Sequence, residues 1–134
     1  MLQTILTPSF ELISDALEAV KLLVSATDLY LITVVSSDEE EERARAALQA
    51  AVQAGVNATK LLFCSTSTGK SSMIRQLEPA MHIDDDGTLL ESIQRFVPRL
   101  LLISLDGATT ISQPHNMQTS SSLRAFFTDN ADDT

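Results

Sequence analysis

The chain has 134 residues, 44% of them hydrophobic, which is the size and composition of one globular domain that buries roughly two-thirds of its unfolded surface. Nine Lys and Arg stand against 18 Asp and Glu, a net charge of −9, which argues against a nucleic-acid stripe and against direct adsorption to anionic lipid. A single cysteine, Cys64, excludes an internal disulfide and fits a reducing compartment, and the absence of Trp argues against a base-stacking platform.

Leu2 to Leu6 reads as a short strand, broken by Thr7-Pro8-Ser9, with Ser9 placed to cap a helix and Glu11 in its first turn. Phe10, Ile13, Leu17, Val20 and Val24 recur at helical spacing, and Leu12, Ala16, Ala19 and Leu23 widen that face. Leu29 to Val35 is apolar on both faces, as in a central parallel strand. Ser37-Asp38-Glu39-Glu40 forms a capping box for a helix that runs to Gly55, with Ala44, Ala47, Leu48, Ala51 and Val52 inward. Glu39 with Arg43, and Glu41 with Arg45, are spaced for weak surface ion pairs.

Lys60 to Cys64 reads as a strand, followed by a Ser/Thr-rich loop and a short helix from Ser71 to Glu78 that Pro79 stops. Met81-His82-Ile83 is a brief strand and Asp84 to Gly87 a turn. Thr88 to Glu91 opens a helix with Leu89, Ile93, Phe96 and Val97 inward, ended by Pro98. Leu100 to Leu105 is the last strong strand. The remainder is polar, apart from Leu123, Ala125, Phe126 and Phe127, and residues 129–134 read as a disordered acidic tail after a single domain over 1–128. The alternation predicts an α/β fold: one three-layer Rossmann-like domain, a mainly parallel sheet of about five strands with helices on both faces. No stretch approaches the roughly 20 apolar residues a membrane span needs, and no signal peptide is visible.

Two motifs suggest chemistry, and both are incomplete. Cys64 to Ser71 stands where a phosphate-binding loop stands, between strand and helix, and Gly69-Lys70-Ser71 fit its end. Its first glycine is replaced by Cys64, so an ordinary capped loop is the simpler reading. Asp84-Asp85-Asp86-Gly87-Thr88 resembles the D-x-D-G-T nucleophile motif of haloacid-dehalogenase-like phosphatases, and Ser104 resembles their second motif. Such chemistry needs a carboxylate nucleophile, a Mg²⁺ and a lysine for the phosphoryl charge. No lysine follows Lys70, so an Asp capping a helix, with Gly87 making the bend, accounts for the residues more simply. His82 on its apolar strand reads as a hydrogen-bonded core residue and His115 as a loop residue. Neither has the companions of a metal site. Cys64 reads as a small buried hydrophobe. The residues themselves therefore call for no catalytic set, cofactor or metal.

Leu62-Phe63-Cys64, the loop to Gly69, Arg75-Gln76-Leu77-Glu78-Pro79, His82-Ile83-Asp84, Arg95-Phe96 and Ile103-Ser104 together resemble the peroxin-22 family. Thr7-Pro8-Ser9-Phe10 and Asp28-Leu29-Tyr30-Leu31 extend the resemblance less specifically. The resemblance implies a Rossmann-like domain without nucleotide, on the cytosolic face of the peroxisomal (or glycosomal) membrane, held there by an N-terminal anchor not present in this chain. It also implies a partner, the ubiquitin-conjugating enzyme peroxin-4, which modifies the import receptor for recycling. The expected contact region is Arg95, Phe96, Ile111, Pro114 and Met117, late residues that read as too loop-like for core and of types that interfaces favour. Two other classes stay open: a small phosphotransferase or phosphate-binding domain, and a dimerising α/β subunit of another complex.

Overall fold

A computed structural model describes residues 16–104 and 116–123. The expected strand at Leu2–Leu6, the Ser9 cap, Phe10, Ile13, His115, the Phe126–Phe127 cluster and the tail lie outside them.

The described elements are α1 (Ala16–Ala26), β1 (Leu31–Val34), α2 (Asp38–Ala47), α3 (Gln49–Gln53), β2 (Leu61–Cys64), α4 (Ser67–Leu77), β3 (Met81–Asp84), α5 (Gly87–Ile93), β4 (Arg99–Ile103) and β5 (Met117–Ser120). Every strand pair is parallel. β1 pairs with β2, Leu31 opposite Leu61, and β4 lies between β3 and β5, with Leu100 opposite both His82 and Met117.

Successive strand residues point to opposite faces, and on β1 this sorts the helices. Leu31 packs into a core with Val20 of α1, Ala44 and Leu48 of the α2–α3 region and Leu61 of β2. Ile32 packs instead against Ile74 of α4, Leu90 and Ile93 of α5 and Leu100 of β4. Helices α1 to α3 thus cover one side of β1, and α4 and α5 the other. This is the expected three-layer Rossmann-like arrangement, with its parallel strands divided between two hydrogen-bonded sets rather than one continuous ladder.

Four local expectations are corrected. The helix after Ser37 is two helices, broken at Leu48, whose fully buried side chain lies between them. Ser37 accepts the Glu40 N–H at 3.2 Å, while Glu40 reaches back to the N–H of Ser36 at 2.7 Å rather than to Ser37. Helix α4 begins at Ser67, four residues earlier than the composition suggests, because the Thr66 hydroxyl accepts the Gly69 N–H at 2.9 Å and caps it. It ends where Glu78 takes φ 49°, since the residue before Pro79 is kept out of the helical region. Finally, α5 opens at Gly87 rather than Thr88, and the expected Asp cap is Asp86, which accepts the Leu89 N–H at 3.2 Å. Gly87 has no positive φ there and no bend depends on it.

The end of α3 does depend on a glycine. Val56 N–H reaches Ala51 C=O and Gly55 N–H reaches Val52 C=O, both at 3.0 Å, a Schellman closure. Gly55 has φ 122°, and a Cβ there would stand 2.9 Å from Val24 Cγ1 of α1. Gly55→Ala combines a forbidden dihedral with a contact against packed side-chain atoms, so it is expected to destabilise by about 1–3 kcal/mol. Urea melts test this, and an unchanged midpoint would refute the close α1–α3 packing.

Candidate functional site

Parallel strands share a direction, so the carboxyl ends of β3 and β4 meet on one edge, the usual ligand edge of α/β folds. Asp84 ends β3, and Ser104 follows β4. On the side of β1 and β2, Cys64 ends β2 and Thr66 caps α4 just beyond it. The two incomplete motifs converge here. Lys70 Nζ lies 2.6 Å from Asp84 Oδ2, a pair whose side chains are 10% and 2% exposed. His82 Nε2 lies 2.9 Å from the same oxygen. Asp84 Oδ1 accepts the backbone N–H groups of Asp85 at 2.8 Å and Asp86 at 3.1 Å.

Burial alone would push the Asp84 carboxyl up; the His82 hydrogen bond and the Lys70 charge outweigh it and hold that carboxyl well below the usual carboxylate range. The carboxylate is charged, enclosed and engaged at both oxygens. Lys70 belongs to the first turns of α4, near the positive end of the helix dipole, where a cation is disfavoured, and Asp84 supplies its counter-charge.

The structure therefore supplies the lysine that the sequence lacked, from upstream rather than downstream of Asp84. It also closes the site with that lysine. A phosphate-binding lysine must reach its anion, and Lys70 is held by Asp84. The Gly69 N–H that a bound phosphate would need is taken by Thr66, whose hydroxyl leaves 3.2 Å to a Cβ at Gly69. Asp86, the second aspartate of the D-x-D-G-T resemblance, holds the N-terminus of α5. Thr88 is exposed, Ser71 is half-buried, and Ser104 is tied by its backbone N–H to Ser120 C=O at 2.8 Å. Cys64 is half-buried rather than fully buried. Burial pushes its thiol up against the pull of Lys70, the opposite of an activated nucleophile. Among the described residues no group of His, Cys, Asp and Glu is arranged to hold a metal ion.

The expected contact residues separate. Arg95 and Phe96 are exposed at the turn after α5, with Phe96 48% exposed. Ile111 and Pro114 lie outside the described residues. The loop reading of Met117 is corrected: it opens β5, is 8% exposed and packs in the α4–α5 core. Its segment reads as loop because Gln118, Thr119 and Ser120 carry no apolar signal, yet the backbone pairs with β4.

On the surface, Phe96 has an unanticipated neighbour. Arg75, from the last turn of α4, places its guanidinium carbon 4.0 Å from the Phe96 ring centroid. The two border an open groove of about 900 Å³, lined also by Arg95, Glu78, Pro79 and Pro98. Arg75, Glu78 and Pro79 come from the block that carried the sequence resemblance. Their spacing across α4 and α5 could have been found only with the α4·α5 packing in hand.

The sequence model of the family described as "Peroxisome biogenesis protein 22, Haloacid dehydrogenase-like domain" matches residues 3–127. The chain belongs to the peroxisome biogenesis protein 22 family. Peroxisome biogenesis protein 22 of Arabidopsis thaliana is 34% identical over 117 residues, which are 85% of this chain and 41% of that protein. The chain thus spans well under half the length of this relative. The loop from Asp84 to Thr88 keeps its D-x-D-G-T resemblance in sequence, while the engaged Asp84 shows how such a loop can be kept as a structural tie. Membership places the chain in peroxisome biogenesis. Among the described residues no helix is long and apolar enough to cross a membrane.

Proposed function

We propose that this chain recruits and activates a peroxisomal ubiquitin-conjugating enzyme at the cytosolic face of the peroxisomal membrane, performing no chemistry itself, so that the import receptor is ubiquitinated and recycled. The observation that carries this reading is the state of Asp84. A nucleophilic carboxylate needs a free oxygen facing its substrate. Both oxygens of Asp84 are bonded inside the fold, by Lys70, His82 and two backbone N–H groups. The phosphotransferase alternative gains Lys70 but loses access. Family membership supports the biogenesis setting, and the exposed Arg95–Phe96 turn supplies a surface suited to protein contact.

Calorimetric titration of the chain with that ubiquitin-conjugating enzyme tests the proposal. A one-to-one complex is expected, and Phe96→Ala is expected to weaken it by about 1 kcal/mol or more. Absence of binding at micromolar concentration would refute the partner. The chain is also expected to leave ATP and generic phosphate esters intact. Hydrolysis that disappears in Asp86→Asn, which keeps the helix cap, would restore the phosphatase reading.

A further inference from the structure

We infer that the groove between the end of α4 and the α5–β4 turn is a docking site for an acidic protein segment that also presents an apolar side chain; this rests on the recruitment reading and names the chemistry of the contact. The charge distribution is the first argument. The whole chain carries twice as many acids as bases, 18 against 9, yet the groove is lined by Arg75 and Arg95 with Glu78 as its one acid. Among the described residues neither arginine makes an ion pair with a carboxylate of the chain, Glu78 included. Two exposed cations with no carboxylate partner among the described residues are suited to carboxylates from outside the chain.

The second argument is geometric. The Arg75 guanidinium is stacked on the Phe96 ring with its carbon 4.0 Å from the centroid. A guanidinium held over an aromatic face keeps N–H donors that the ring does not use, and these can take a carboxylate. Less side-chain freedom is then lost on binding than for an unsupported arginine. The apolar requirement comes from the remainder of the lining. Phe96, Pro79, Ala80 and Pro98 offer rigid apolar surface beside the two cations. Aromatic residues and arginine are the types that dominate interface energies. An anionic lipid surface fits less well, because the net charge of −9 repels it beyond the groove.

The test has two arms. In the first, the chain is titrated calorimetrically with the ubiquitin-conjugating enzyme at low and high salt. The double variant Arg75→Glu/Arg95→Glu is expected to lower affinity by about tenfold or more and to flatten the salt dependence. Arg45→Glu, on exposed α2 and outside the groove, is the control and is expected to change little. In the second, amide resonances are followed while a blocked peptide of Glu, Asp and Leu is added, with a Lys-and-Leu peptide as comparison. Shifts confined to the groove, and produced by the acidic peptide alone, support the site.

If the enzyme does not bind but the acidic peptide shifts only the groove, the site stands and the recruitment reading falls. If the enzyme binds both forms equally and the peptide shifts scatter or arise equally with the basic peptide, the site is overturned and the recruitment reading stands. Co-sedimentation with phosphatidylserine vesicles that Arg75→Glu/Arg95→Glu abolishes would overturn the protein-segment proposal in favour of lipid.

Discussion

Asp84→Ala is expected to remove about 3–5 kcal/mol of stability, a large fraction of what a domain of this size has. The substitution leaves the Lys70 ammonium, 10% exposed, without its counter-charge, and His82 and two backbone N–H groups without their acceptor. The cost lies in the stranded charge more than in the lost attraction. Lys70→Met combined with Asp84→Asn should therefore recover much of the loss, since no unpaired ion remains in the fold. Denaturant melts of the single and double variants measure the coupling. Additive losses would mean that Lys70 and Asp84 do not interact as a pair.

The same group gives a pH dependence of definite sign. The Asp84 carboxyl is depressed in the folded state, so the unfolded chain takes up its proton first as pH falls. Its contribution is fully present above the unfolded carboxylate value of about 3.9 and is lost as pH falls below that toward the depressed folded value. Stability of the native chain should fall steeply through that acid window. The Lys70→Met/Asp84→Asn variant should lack this component, and equal acid sensitivity of the two proteins would place the titrating group elsewhere.

Elements whose signal is local were legible in the sequence, and contacts that depend on topology were not. The apolar run from Leu29 to Val35 and the Ser37 cap each announce themselves within a few residues, and the strand Leu31–Val34 and that cap both lie there. The tie between Lys70 and Asp84 spans two elements, α4 and β3, and each residue belongs to its own incomplete motif. One available signal was the parallel α/β reading itself. A loop motif after one strand and an aspartate ending the next element of a parallel fold belong at one edge, so the missing lysine could have been sought upstream. The Arg75–Phe96 stack was hidden for the same reason, because it joins α4 to the turn after α5. The start of α4 differs from the composition because Ser and Thr read as loop, whereas Thr66 acts as a cap and Ser67 and Thr68 open the first turn.

Met117→Ala is expected to cost about 2–4 kcal/mol of stability, well above the roughly 0.5 kcal/mol of an exposed surface change. As a loop residue at an interface, Met117 would have carried binding energy and little stability. Its position in β5 reverses this. The side chain is 8% exposed, lies opposite Leu100 across the ladder, and packs with Ile74, Leu90 and Ile93. Truncation removes apolar contacts and leaves a cavity against residues that are nearly fully buried, and a three-sided shell of α4, α5 and β4 can close it only in part. Leu101→Ala, on central β4 and fully buried, calibrates the upper end of the range. Leu31→Ala should fall below it, because Leu31 is only half-buried although its strand is apolar on both faces. Melts of the three variants rank them, and a Met117→Ala midpoint equal to the native one would remove β5 from the core. Affinity for the ubiquitin-conjugating enzyme, measured on the fraction that remains folded, should be unchanged by Met117→Ala and reduced by Phe96→Ala, because the first residue holds the sheet together and the second faces outward beside Arg75.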